Sequence, residues 1–160
     1  RVPVQDTKDV GFDGETDLVL QLKYPDRASA IPIATGIEAR LIEAEAAMQA
    51  GQTAVFLAKL NAARAQFQGV PALTPADIPA DQTGQVNLLF RERAFDLWLT
   101  SHRLGDLRRL VRQYGRDAES VFPTGTWAKD GTLYGTDVNL PVPQVETNNP
   151  KFTGCLDRNA

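Results

Sequence analysis

Across 160 residues this sequence has one cysteine, one histidine and one methionine. It has no apolar run near the roughly 20 residues that cross a bilayer. The lone Cys155 excludes an internal disulfide framework and a thiolate metal cage. His102, with no cysteine beside it and no nucleophile elbow, reads as a structural or surface residue, and no cluster of His, Cys and carboxylate has metal-ligand spacing. Lysine is scarce and acids outnumber bases, 20 against 17, for a formal net charge of −3. That argues against a protein whose task is to coat nucleic acid or anionic lipid, despite the basic cluster Arg108, Arg109, Arg112 and Arg116. The chain opens at Arg1 with neither an initiator Met nor a signal peptide, so we expect a processed product or a piece of something longer.

What is present suits a globular chain with a real core: 42% hydrophobic and 23% charged residues. One domain is expected, made of an extended entry segment (1–34), a helical core (35–116) and an irregular tail (117–160). In the entry segment "DLVLQLKYP" alternates around Leu18, Leu20 and Leu22 and reads as a strand closed by Pro25. At Thr35 the pattern changes. Thr35 and Glu38 have capping-box spacing, Gly51 is a stop signal, and Ile37, Leu41, Ala44 and Met48 make one helical stripe. Alanines 39, 44, 46, 47 and 50 leave room for a second helix to approach closely. That helix is expected over 53–67 with Phe56, Leu57, Leu60, Ala63 and Phe67 inward, so that the two form an αα-hairpin of tetratricopeptide type. A proline-rich loop (69–84) follows, then helices near 85–101 and 103–114. The fold class is therefore mainly α: this pair, further packed helices, long irregular loops and at most one or two short strands.

The densest stretch is "RERAFDLWLTSHRLGDLRRL", residues 91 to 110. On a helical wheel Val86, Leu88, Phe90, Ala94, Phe95, Leu97, Trp98 and Leu99 cover more than half the circumference, which describes a central helix. Arg91 falls inside that arc, whereas Glu92, Arg93, Asp96 and Arg103 share a narrow wedge. Charges in such a place survive only when paired, so a structural ion lattice is expected, comprising Glu45, Arg91, Glu92, Arg93, Asp96, Arg103 and Asp106. Glu38, Glu43 and Glu45 are candidate partners on the first helix, and Asp106 is the partner expected for Arg103. Glu92 and Asp96 also have a spacing that a two-carboxylate glycosidase could use. Arg93 and Arg103 in the same wedge would keep both ionised and remove the general acid, so no catalytic residue is assigned.

Three stretches together resemble one family. Glu92, Arg93, Leu97, His102, Arg103, Asp106, Leu107, Arg108 and Arg109 are similar to the signature of SusD/RagB proteins, E-R-R-x-E-L-x-x-E-G-H-R-W-F-D-L-R-R. Asp96 stands for the second acid. Thr100-Ser101 departs from the family's Glu-Gly, and Leu104-Gly105 from its two aromatics. "EARLIEAEAAMQAGQTAVFLAKLNAARA", residues 38 to 65, resembles the family's helical pair with its A-E-A and L-N-x-x-R elements. "PVPQVETNNP", residues 141 to 150, resembles its closing element.

The resemblance implies the C-terminal portion of an outer-membrane lipoprotein that captures glycan or another nutrient without enzymatic action. No cofactor is implied. The implied partners are a TonB-dependent, SusC-like transporter, the oligosaccharide or other nutrient, and the missing N-terminal part of the same protein; nucleic acid is not among them. An alternative reading is an α-helical protein-interaction module without carbohydrate binding. For sugar stacking, Trp127 and Tyr134 in the loop "TGTWAKDGTLYGTDVN" are the candidates, unless both tuck back as loop anchors. Cys155 is expected either to tether the tail to the missing part by a disulfide or to stay a free thiol.

Overall fold

The computed structural model describes residues 1–140 and 144–152. The protein is mainly helical, with a single two-stranded sheet among the described residues. It divides into two compact units, Arg1–Thr100 and Ser101–Ala160, so the boundary falls inside the stretch read from sequence as one helical core.

The first unit opens with an antiparallel hairpin, β1 (Val4–Val10) and β2 (Asp17–Gln21), in which Val4 pairs with Gln21 and Asp6 with Val19. Only β2 was legible in the sequence. β1, "VQDTKDV", has no apolar alternation, because its face is half-solvated and a register shift between Asp6 and Val10 interrupts it around Lys8, which sits at φ 64°. Asp13 shapes the turn, its Oδ1 accepting from the amides of Glu15 (3.2 Å) and Thr16 (3.0 Å), with Gly14 in the left-handed region.

Helix α1 (Gly36–Gln49) begins where expected: Thr35 Oγ1 accepts from the Glu38 amide at 3.1 Å. It ends at Gly51, whose φ of 68° lets the Gln52 amide turn back to the Ala47 carbonyl (2.8 Å). α2 (Thr53–Arg64) then completes the helical hairpin, ending a turn before the expected Phe67. Leu41, Ala44, Ala47 and Met48 on α1 and Phe56, Leu60 and Ala63 on α2 are buried. Ala46, by contrast, is exposed, so the close approach runs through Ala44 and Ala47.

After a 3-10 turn (Pro75–Asp77), α3 runs over Gln82–Asp96 and packs on both earlier helices. It is capped by Asp81, whose Oδ1 accepts from the Gly84 amide at 2.8 Å. Gly84 is tight against Pro79: a Cβ there would collide with the proline ring.

α3 stops at Asp96, five residues before the sequence expectation. The Thr100 amide closes on the Leu97 carbonyl (3.1 Å), Leu99 and Ser101 adopt φ of 56° and 64°, and Lys23 Nζ takes the Trp98 carbonyl. The chain carries no glycine or proline there, so the stop has no sequence signal. Because the helix ends early, the wheel does not extend to Leu97–Leu99. Leu97 is buried and Trp98 half-buried, but Leu99 is exposed, and so is Phe95.

In the second unit α4 (Arg103–Arg112) is followed by two single-turn helices, α5 (Ala118–Val121) and α6 (Gln144–Thr147). The tail is less irregular than expected. Thr126 bridges Leu133, the Trp127 amide donates to the Thr132 carbonyl (2.7 Å) and the Tyr134 amide to the Gly125 carbonyl (3.0 Å), closing a small hairpin.

Candidate functional site

The polar centre of the first unit is built around Glu92, which has no exposed surface. Arg64 Nη1 donates to Glu92 Oε2 at 2.6 Å from the end of α2, while its Nε donates to the Pro71 carbonyl at 2.9 Å and holds the proline-rich loop. Asn61, one turn earlier, clamps the same loop by exchanging hydrogen bonds with the Leu73 backbone (2.9 and 2.7 Å). Arg1 supplies the second guanidinium, donating to Glu92 and, at 2.9 Å, to Asp96 Oδ1. Its guanidinium carbon also sits 4.9 Å from the centre of the Phe95 ring.

Glu92 and Asp96 respond oppositely to this setting. Burial pushes the Glu92 carboxyl up, but the hydrogen bonds and charges of Arg1 and Arg64 together outweigh it and hold the group below the ordinary carboxylate value. Asp96 is raised: burial dominates, the Arg1 contact offsets only part of it, and the Glu92 charge adds to the rise. Asp96 Oδ2 is buried with no hydrogen-bond partner, one of two such side-chain atoms among the described residues, the other being the Tyr24 hydroxyl.

The expected ion lattice is therefore real in part and differently wired. Glu45, Glu92, Arg93, Asp96 and Asp106 are buried, and Glu45 and Arg93 are both partnered. The arginines on Glu92 and Asp96, however, are Arg1 and Arg64, not Arg93 and Arg103. Arg103 is exposed, and Asp106 instead accepts from Arg109 at 3.4 Å. At the first position of α4 Arg103 points its charge at the solvent side of the helix start, while Asp106, on the buried face, finds the arginine one turn further along. Arg91 is exposed too: the apolar arc that would have covered it does not close, since Phe95 and Leu99 face solvent. Glu43, exposed on α1, binds Arg40 (2.7 Å) and Lys59 (2.9 Å).

A cavity of about 370 Å³ opens beside the cluster, bordered by Arg1, Lys23, Gln66, Phe67, Gln68 and Asp96 among others. Of the two carboxyls with glycosidase-like spacing, only Asp96 lines it. Both oxygens of Glu92 are engaged by guanidinium groups, so the pair does not flank an open cleft as glycoside hydrolysis requires.

In the second unit Trp127 and Tyr134 are each 44% exposed. Trp127 lies opposite Thr132 and Tyr134 opposite Gly125, which puts both side chains on one face of the hairpin as diagonal neighbours, about 7–8 Å apart by strand geometry. Asp130 Oδ1 holds the turn through the Thr132 amide (2.9 Å) and hydroxyl (2.7 Å). The arginine cluster on α4 is tied down, with Arg109 on Gln113 (3.1 Å) and Arg108, Arg112 and Arg116 all partnered. His102 precedes α4, and its carbonyl accepts from the Asp106 amide at 2.9 Å. Among the described residues no group of His, Cys, Asp and Glu could hold a metal ion, and no helix is long and apolar enough to cross a membrane. Cys155 and Pro141–Pro143 of the closing motif lie outside the described residues.

No protein-family model, curated protein or solved structure matches this chain.

Proposed function

We propose that this chain is the helical scaffold portion of a SusD/RagB-like nutrient-capture protein. It binds glycan or a comparable nutrient without turnover at the outer-membrane surface and passes it to a TonB-dependent transporter. The observation that carries the reading is the meeting of two motif stretches that lie 28 positions apart: Arg64 of the L-N-x-x-R element donates to Glu92 of the arginine-rich signature. Glu45 of the A-E-A element and Arg93 of the signature are buried with them. Residues that look like a motif on paper thus have a joint physical task, locking α2 and the proline-rich loop onto α3.

A second support comes from a departure. Where the family pattern has glycine, this chain has Ser101, and its backbone there is left-handed, the conformation glycine adopts without strain. On the ligand side, the shared face of Trp127 and Tyr134 offers two exposed rings of the kind that stack on sugars.

The alternative, a protein-interaction module without carbohydrate binding, is favoured by a different observation. Val4, Val10, Phe12, Val19, Leu20, Leu22, Ile31 and Ile33 are all exposed, and all lie in the entry segment. Apolar surface so concentrated marks an interface.

Calorimetry of the full-length protein against a panel of soluble oligosaccharides separates the two. Saturable binding that weakens about 5- to 100-fold with Trp127→Ala, the loss of one aromatic contact, supports capture. Absence of binding to every glycan, together with co-purification of a partner that Phe12→Ser releases, supports the interaction module. Sugar release abolished by Glu92→Gln would refute both.

A further inference from the structure

We propose that the cavity bordered by Arg1, Lys23, Gln66, Phe67, Gln68 and Asp96 is a binding site for one neutral polyhydroxylated ring, a monosaccharide or the end of an oligosaccharide, anchored by Asp96. The proposal rests on the nutrient-capture reading and adds to it a site away from the Trp127–Tyr134 hairpin.

Four features of the cavity select the ligand class. Asp96 is 5% exposed, and its Oδ1 is taken by Arg1, but Oδ2 has no donor. Folded proteins rarely leave a buried carboxylate oxygen unsatisfied, and a ligand hydroxyl is a donor of the right size. Charge then narrows the choice. Arg1, Lys23 and Arg64 stand against Glu92 and Asp96, so the cluster already has more cations than anions and does not call for a cationic ligand. Nor does it offer free cations to an anion. Both Nη atoms of Arg1 donate to carboxylates, and Lys23 Nζ donates to the Trp98 carbonyl.

The remaining lining is neutral and amphoteric. Gln66 and Gln68 are exposed at the end of α2, and each carboxamide can both donate to and accept from a hydroxyl. Phe67 between them is half-buried and gives the cavity an apolar wall, as sugar rings require on their C–H face. A volume of about 370 Å³ is at the small end for ligand sites, enough for one ring and not for an extended chain. The raised proton affinity of Asp96 is in keeping with a carboxyl that gains from a donor beside it.

The test is nuclear magnetic resonance of the full-length protein titrated with D-glucose, D-galactose, D-mannose and N-acetyl-D-glucosamine. We expect at least one of them to shift the carboxamide signals of Gln66 and Gln68 and the backbone amides of Lys23 and Phe67, saturably and at one site. Gln66→Ala with Gln68→Ala should weaken that binding about 5- to 100-fold, as the loss of two hydrogen bonds implies, with the melting temperature unchanged. Asp96→Asn should weaken it as well, and the glutamine variant keeps the proposal testable if Asp96→Asn fails to fold. Shifts confined to Trp127 and Tyr134 would overturn this site and leave nutrient capture standing. Silence toward all four sugars would overturn the site even if calorimetry registers a longer glycan; silence in both measurements would remove the capture reading with it.

Discussion

Arg64 Nη1 lies 2.6 Å from Glu92 Oε2, and neither side chain has appreciable contact with solvent. The contact joins the last turn of α2 to the middle of α3 and, through Arg64 Nε, fastens the loop between them. Removing one partner leaves the other charge buried. Arg64→Ala should therefore cost about 3–5 kcal/mol, even though Arg1 still faces Glu92. Replacing both partners by Met or Leu of similar volume should recover most of that loss, since an apolar pair leaves nothing unsatisfied. Urea denaturation of the two single variants and the double variant measures the coupling. A double variant as unstable as the sum of the singles would show that the pair is not a unit.

The Glu92 and Asp96 carboxyls should give stability two opposed dependences on pH. Glu92 is lowered in the fold, so its contribution is present above its unfolded value, near 4.3, and is lost as pH falls through the lower folded value. Asp96 is raised, so its contribution is present below its unfolded value, near 3.9, and is lost as pH rises through the folded one. Asp96→Asn, which cannot ionise, should remove the decline on the rising side from about pH 4 upward and keep the loss in stronger acid. Denaturation midpoints across this range check it. An unchanged rising limb would mean that Asp96 titrates as an ordinary carboxyl.

Much of the fold was legible because helix signals are local. Thr35, Gly51 and the stripe through Leu41, Ala44 and Met48 each act within a few residues, and α1 begins and ends where they place it. The end of α3 was not legible, because it is set by Lys23 from the entry segment and by left-handed residues that are not glycine. The centre of the candidate site was half legible. Composition and spacing required that Glu92 and Asp96 be paired. They could not say that the partner would be Arg1, whose side chain meets Glu92 across 91 positions of sequence. Arg64 had a signal, its place in L-N-x-x-R, but nothing local to say what it held. Gln66, Phe67 and Gln68 carry no pattern and become a wall only once the cavity exists.

The close approach of α1 and α2 gives a prediction that distinguishes neighbouring alanines. Ala44 has no exposed surface, whereas Ala46, two residues on, faces solvent. Ala44→Leu should destabilise by about 1–3 kcal/mol through overpacking. Ala46→Leu should stay within about 0.5 kcal/mol of the parent, as surface substitutions do. Thermal denaturation of the two variants side by side decides it. Equal effects would mean that the helices separate enough to admit a leucine.

Ser101 provides the last prediction, because its backbone sits at φ 64° with a side chain that disfavours it. For an L-residue the left-handed region costs about 1–2 kcal/mol, and serine has less local compensation than asparagine or aspartate. Glycine removes that strain but widens the freedom of the unfolded chain, which works the other way by about 0.4–1 kcal/mol. The strain term is the larger, so Ser101→Gly should stabilise the protein by up to about 1 kcal/mol. Ser101→Val should destabilise it, since a β-branched side chain tolerates positive φ least. Leu99, at φ 56°, should respond to glycine in the same direction. Chemical denaturation of these variants measures the signs. If Ser101→Gly instead destabilised the protein, the left-handed conformation at this position would be in doubt, and with it the match between Ser101 and the glycine of the family pattern.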